Sequence, residues 1–149
     1  MPKEQSIEVV DRSGGRIWIA DNDGVRDNLN RLAYREVTVM LTASSVDAFV
    51  FSPLEGVWQV TGVRESHTVV GGSGATVQVV VCTGSVAIGS GVAQLTGALD
   101  LTVTAPANRA GTLIASPTEI YICDSVGIDM SGTLTGLVGQ VTIGLKRIR

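Results

Sequence analysis

The chain has 149 residues and a formal net charge of −3, with a sequence pI near 5.0. This size fits one domain with an extension, and the acidic balance disfavours duplex nucleic acid, because neutralising phosphates requires a basic face. Apolar residues make up 44% of the chain, but no run approaches the roughly 18 residues of a transmembrane helix. The first residues also lack the apolar segment of a secretory signal. We therefore expect neither nucleic acid nor a membrane as a partner.

Charged residues are distributed unevenly along the chain. Residues 1–36 contain 13 of the 25 Asp, Glu, Lys and Arg residues, and residues 37–149 contain the other 12. Catalysis in a small chain usually needs several ionisable groups in one pocket, and the second segment has few to offer. The sequence therefore predicts a non-enzymatic protein with an N-terminal arm, residues 1–36, and a β-rich body, residues 37–149.

The arm contains two short alternating runs and one helical pattern. Residues 7–10 and 16–20 alternate on either side of the turn DRSGG, which predicts a strand or hairpin, and Val25–Glu36 is predicted to be a short helix. The turn DNDG at residues 21–24 lacks the acidic residue that a calcium loop has at its twelfth position, so no metal is expected there. The apolar side chains of the arm are too few for a core and need a surface, either the body or a partner chain. The candidate partner-binding residues are Val9, Ile17, Trp18, Ile19, Leu29, Leu32 and Tyr34.

The body consists of short alternating runs separated by turns. Residues 71–75 (GGSGA) are predicted to be a hairpin turn, residues 84–91 a loop and residues 105–110 a turn. Residues 55–69 are predicted to be one strand in which the odd and even positions from 57 to 64 lie on opposite faces. Such a pattern, with no intervening helix longer than a turn, predicts an all-β fold: an antiparallel β-sandwich or jelly roll of about eight strands. The predicted strands are 37–42, 48–51, 55–69, 77–82, 92–95, 99–104, 111–115, 120–123, 125–130 and 137–148.

The residue types that carry chemistry are scarce. Cys82 and Cys123 lie in apolar runs, so both are predicted to be reduced core residues rather than a disulfide or reactive thiols. His67 is the only histidine, and one histidine cannot supply the ligands of a His-based metal site or of a cupin-like metalloenzyme. A triad of either cysteine with His67 and Glu65 is the catalytic alternative, but many chains of this length would offer one. The sequence therefore predicts no catalytic site, metal or cofactor.

Three segments carry a resemblance to a known family: Gly84–Gly91 (GSVAIGSG), Gly111–Ser116 (GTLIAS) and Gly132–Ile148 (GTLTGLVGQVTIGLKRI). The run from Val77 to the C-terminus resembles the body of tailed-phage head decoration, or cement, proteins. The resemblance covers about half of the chain well, extends more loosely back to residue 37 and does not include the arm. Where that family has an AGD turn, this chain has CDSV at residues 123–126.

The resemblance implies a jelly-roll-like body that is commonly trimeric and ties major capsid subunits together. The expected partners are the major capsid protein and further copies of this chain, and the expected location is the outer surface of the virion, after synthesis in the host cytoplasm. A low-charge body with a coreless arm also suits permanent assembly, since obligate interfaces are large and apolar. The alternative is a trimeric fibre or tail-associated binding module that presents loops such as 71–75 or 105–110 to a host surface glycan. Exposed aromatic residues at loop tips would favour it, and the predicted loops have none.

Overall fold

The computed structural model describes residues 33–149 and, before them, the backbone of two strands, β1 (Ser6–Val10) and β2 (Arg16–Ala20). The chain divides into two compact units, residues 1–34 and 35–149. In the first unit, β1 and β2 form an antiparallel ladder. The predicted helix lies mainly outside the described residues, but its last three residues, 34–36, are in strand β3 (Tyr34–Thr42). The helix prediction is wrong there, because these residues continue the extended run that follows them.

Ten strands follow the arm ladder, and three of them are only two residues long. The part of the chain that the structure describes has no α-helix, and hence no helix that could cross a membrane. Its one helical segment is a 3₁₀ turn at Ile88–Ser90. The strands are β3 (Tyr34–Thr42), β4 (Ala48–Phe51), β5 (Trp58–Val69), β6 (Thr76–Cys82), β7 (Val92–Ala93), β8 (Leu99–Asp100), β9 (Ala107–Ala110), β10 (Glu119–Ile120), β11 (Ser125–Ser131) and β12 (Val138–Arg147).

The ten strands form two antiparallel five-stranded sheets. The first sheet has the order β10–β5–β12–β3, with β9 also paired to β5, and the second has the order β4–β11–β6–β7, with β8 also paired to β6. From β3 to β6, each successive strand lies in the other sheet, as in jelly rolls. This arrangement confirms the predicted all-β antiparallel sandwich.

The main core consists of inward-facing aliphatic residues from both sheets. Alternate positions of the long strands are fully buried because one face of each strand packs against the other sheet. At one end, the rings of Trp58 and Phe51 meet edge-on, with centroids 5.4 Å apart. A smaller cluster of Val80, Cys82 and Ile88 is separate from the main core. The main core includes Leu41, Val60, Val77, Val79, Val81, Ile120, Ile128, Val141, Ile143 and Leu145.

Two β-bulges interrupt the pairing of β5 with β12. β5 has 12 residues and β12 has 10, yet the two strands pair along their whole lengths. The extra residues are Thr61 and Thr68, which have no directly paired residue on β12. At each bulge two successive residues lie on the outer face, so the prediction of strict alternation from 57 to 64 is wrong. The buried positions of β5 are Trp58, Val60, Val63, Glu65 and His67.

Several predicted turns and strands are wrong for reasons of tertiary pairing. The segment 71–75 links β5 in the first sheet to β6 in the second, so it is a crossover rather than a hairpin turn. Its Gly71 N–H donates to the Leu101 carbonyl at 2.9 Å, which holds it against the segment after β8. The predicted turn at 105–110 is largely strand β9, which pairs with residues 64–67 of β5. Long ladders on neighbouring strands therefore override the local turn residues.

Other predicted strands are shorter than expected. Asp100 accepts hydrogen bonds from the backbone N–H and the hydroxyl of Thr102, at 2.8 and 2.7 Å, and so closes a turn that ends β8 after two residues. Of the predicted strand 111–115, only Leu113 forms a bridge, with Leu95. The predicted strand 120–123 ends at Ile120, where the chain enters a turn.

The two cysteines differ in environment, although both are free. Cys82 is fully buried, which confirms the prediction of a core residue. Cys123 is exposed, in a turn and at a φ of 76°, so the prediction of a core residue is wrong there. A backbone in this left-handed region belongs to a turn rather than a strand, and the turn carries the side chain to the surface.

Candidate functional site

The arm ladder brings three of the candidate partner-binding residues into register. Val9 pairs with Ile17, and Ile19 pairs with Ile7. The aliphatic residues of the two strands are therefore matched pair by pair along the antiparallel ladder.

The other candidate partner-binding residues are placed differently. Trp18 pairs with Glu8 in the ladder. Leu29 and Leu32 lie outside the described residues. Tyr34 begins β3, and 47% of its surface is exposed.

Four exposed apolar side chains lie on or next to the two strands that end the described strand orders. In the described strand order, β3 ends the first sheet and β4 ends the second, and residues 43–47 join them. Met40, Val46, Phe49 and Leu54 are exposed on these strands and the adjoining loops; we call these four residues the edge surface. Large apolar residues on sheet edges are typical of surfaces that another chain covers. This surface could not be predicted from the sequence, because alternation does not show which strands lie at an edge.

An open trough of about 750 Å³ lies on the first sheet. Its lining includes Gly62 of β5 and Gly144 of β12, with the charged residues Glu36 and Arg64. A Cβ on Gly62 would meet no atom within 4 Å, so the trough is open above this glycine. The bulge residue Thr61 also lines it. The trough is large enough for a small ligand or an extended segment.

A cluster of charged side chains lies within the sandwich. Glu65 and His67, both buried on β5, hydrogen-bond to each other through a Glu65 carboxylate oxygen and His67 Nδ1. His67 Nε2 donates to the Val103 carbonyl at 2.8 Å. Arg109 of β9 donates from Nε to the second oxygen of Glu65 at 3.2 Å and from Nη2 to the Asp100 carbonyl, and Nη2 also forms an ion pair with that Glu65 oxygen at 3.1 Å. The cluster therefore ties β5 to β9 and to the segment after β8.

Asp100 also contributes a carboxylate close to this cluster. Its pKa is lowered, mainly by the hydrogen bonds from Thr102 and to a smaller extent by Coulombic interactions with Arg109 and His67. Sequence reasoning placed Glu65 and His67 together only as members of a Cys–His–acid triad. The structure pairs them with each other, but His67 bonds to Val103 rather than to a cysteine. Among the described residues, no group of three His, Cys, Asp or Glu side chains is arranged to hold a metal.

The turn at residues 121–124 presents apolar side chains at the surface. Tyr121, Ile122 and Cys123 are exposed, while Asp124 is buried beneath them. The Asp124 carboxylate accepts the N–H groups of Tyr121 at 2.9 Å and Gly84 at 3.2 Å, which fixes the turn. The Tyr121 hydroxyl donates to Glu119, and this bond is the main cause of its raised pKa.

Comparison with known proteins gives little further information. No protein-family model matches the chain, and no curated protein matches it. Among solved structures, the chain is similar to a protein of Bacillus endospore appendages, described as a family of disulfide-linked pili, with 17% sequence identity. The similarity covers 76% of this chain and 85% of that chain, with a TM-score of 0.35. A likeness at this level carries no argument about function.

Proposed function

We propose that this chain is a non-enzymatic virion protein that decorates and stabilises an icosahedral phage head by bridging major capsid subunits. The observation that carries the proposal is the set of exposed apolar residues on the edge surface, at the terminal strands β3 and β4 of a sandwich with an aliphatic core. The paired aliphatic residues of the arm ladder are a second set of candidate contacts. The resemblance of residues 77–149 to head decoration proteins supplies the class of partner.

Homotrimerisation gives the arms a mechanical role. In a trimer, three arms attach one assembly to the capsid, so each contact forms at a high effective concentration once the first has formed. Several weak contacts then hold the protein firmly. The body needs no catalytic group for this role; it needs a rigid sandwich and an apolar surface at which copies of it meet.

The location of the chain on a particle is the direct test. Heads that lack the chain are incubated with the purified protein and imaged by electron cryo-microscopy. We expect density for the body at threefold or quasi-threefold positions on the outer surface. Density confined to the tail, or no bound protein at saturating concentration, would reject the proposal.

Deleting residues 1–33 tests the arm, since this truncation leaves β3 whole. The truncated protein is expected to keep the circular-dichroism spectrum of a folded sandwich but to bind heads far more weakly than the full chain. Binding as tight as that of the full chain would show that the arm has no part in attachment.

Trimer formation is tested by sedimentation, with substitution of the edge surface as the perturbation. Phe49→Ser is expected to shift the full chain from trimer towards monomer, because Phe49 is an exposed ring on the terminal strand β4. Val92→Ser is the matched control: Val92 is 50% exposed and Phe49 is 55% exposed, and β7 lies at the other end of the second sheet. The interface would be contradicted if the wild-type chain were monomeric both at tens of micromolar in solution and on particles. It would also be contradicted if the two variants had equal effects on the oligomeric state.

One observation favours a second candidate, a fibre or tail-associated module that binds a host glycan. Tyr121 presents a half-exposed ring in a surface turn, beside the ion pair of Glu119 and Arg149. Aromatic faces with neighbouring polar groups are suited to sugars. Saturation-transfer NMR with host surface glycans tests this candidate, and it requires that Tyr121→Ala abolish the transfer signal.

A further inference from the structure

Both ring nitrogens of His67 face oxygen atoms. Nε2 lies 2.8 Å from the carbonyl oxygen of Val103. A carbonyl oxygen can only accept a hydrogen bond, so Nε2 must carry a proton. Nδ1 faces a carboxylate oxygen of Glu65. The protonation of Nδ1 therefore depends on whether Glu65 is ionised.

Arg109 indicates that Glu65 is ionised. The second carboxylate oxygen of Glu65 accepts the Nε–H of the Arg109 guanidinium at 3.2 Å, and Nη2 of the same cation lies 3.1 Å from that oxygen. This adjacent cation favours the carboxylate over the acid, because charge-assisted hydrogen bonds are the strong ones. An ionised Glu65 has no proton to donate, so the hydrogen bond to His67 requires a proton on Nδ1 as well.

We propose that His67 is a buried imidazolium at neutral pH, and that its extra proton fastens the segment 100–109 to strand β5. The charged groups around the ring are consistent with this assignment. Glu65 faces it from the same strand, Arg109 lies on β9, and Asp100 lies on β8. Two carboxylates thus balance the two cations His67 and Arg109, and on the β12 side the directly paired residue is the uncharged Gly139.

Removing the extra proton would cost one of the two hydrogen bonds of the ring. Without it, either Nδ1 would turn a lone pair towards the Glu65 carboxylate, or Nε2 would turn one towards the Val103 carbonyl. Both arrangements leave buried acceptors facing each other, which is unfavourable. The connection from β5 to Val103 therefore depends on the proton.

The sign of the pH dependence follows from proton counts. In the unfolded chain an imidazole is mostly neutral above pH 7.5. The folded chain then holds more protons than the unfolded chain, so stability falls as pH rises. While the folded ring keeps its extra proton, this one-proton difference raises the unfolding equilibrium constant about tenfold for each pH unit.

The single histidine makes a direct test possible. NMR of the uniformly ¹⁵N-labelled full chain at pH 7.5 gives one imidazole spin system, which can only be His67. We expect both ring nitrogens to be protonated. A neutral ring, with either nitrogen unprotonated, would overturn the proposal, including the case in which Glu65 holds the proton.

The second measurement compares unfolding constants at pH 7.5 and 8.5 for the wild type and His67→Gln. Between these two pH values, we expect the unfolding constant of the wild type to rise by a factor up to ten times larger than that of His67→Gln. Glutamine keeps a hydrogen-bond donor but cannot bind the extra proton. Burial also raises the pKa of the Cys82 thiol. The folded chain therefore keeps this proton at a pH where the unfolded chain loses it, so Cys82 also makes the protein less stable as pH rises. Its contribution is common to both proteins and cancels. Equal slopes would overturn the proposal, and if His67→Gln does not fold, the NMR result decides alone.

Discussion

Replacing Gly139 with alanine is expected to destabilise the sandwich by about 1–2 kcal/mol. A Cβ at this position would lie 2.6 Å from the Ser66 carbonyl oxygen and 2.8 Å from the Cβ of His67. Backbone and buried side chain must both shift, and overpacking of this kind costs about 1–3 kcal/mol. Alanine also restricts the unfolded chain, which offsets about 0.4–1 kcal/mol of that cost. The net loss is therefore smaller than the packing cost alone.

Thermal unfolding followed by circular dichroism measures this loss, which corresponds to a fall in Tm of about 4–8 °C. The matched control is Gly62→Ala on the paired strand β5. Its new Cβ would meet no atom within 4 Å, so it should melt at the wild-type temperature or slightly above. If the Gly139→Ala protein melted at the same temperature as the control, the close packing of β12 against His67 would be refuted.

Three further predictions concern the cysteines and the arm. Cys123→Gly should raise the free energy of unfolding by about 0.5–1 kcal/mol in urea titrations, because a Cβ is strained at a left-handed φ; Cys123→Ser, which keeps the Cβ, should leave it unchanged. In the native protein only Cys123 should react rapidly with a thiol reagent, since burial raises the pKa of Cys82 and keeps it protonated; two equally fast thiols would contradict this. Trp18→Ala should reduce binding to heads in a pull-down without changing the Tm of the free protein, because central aromatic anchors often contribute about 2 kcal/mol or more; a lowered Tm with binding retained would show that Trp18 packs on its own chain.

The long strands could be predicted from the sequence because their periodicity and their burial agree. In β11 and β12, apolar residues recur at every second position and face the other sheet. Local pattern and tertiary packing then favour the same structure. The short strands were harder to predict. β9 contains Asn108 and Arg109 and is strand only because it pairs with β5, and such pairing has no local signal in the sequence.

The buried cluster could not be predicted, because its position depends on where β5 departs from regular alternation. In a strand, side chains alternate between the two faces, and one extra residue in a bulge reverses the alternation after it. The sequence pattern alone therefore does not decide whether Arg64 or Glu65 is buried. The bulge at Thr61 decides it in favour of Glu65. Gly62 beside the bulge is the available signal, since glycine within a strand often marks such a site. The composition break near residue 36 predicts an arm, but it carries no information on the ladder register that pairs Trp18 with Glu8.

The two bulges make β5 a strand whose length can change without altering its interior. Thr61 and Thr68 are exposed and lie outside the one-to-one register with β12. Deleting either threonine would restore regular alternation and leave every buried residue of β5 on its present face. Deleting a residue between them would turn part of the strand over. Natural variation in the length of this strand should therefore be tolerated at these two positions, while the interval that carries Glu65 and His67 keeps a fixed number of residues.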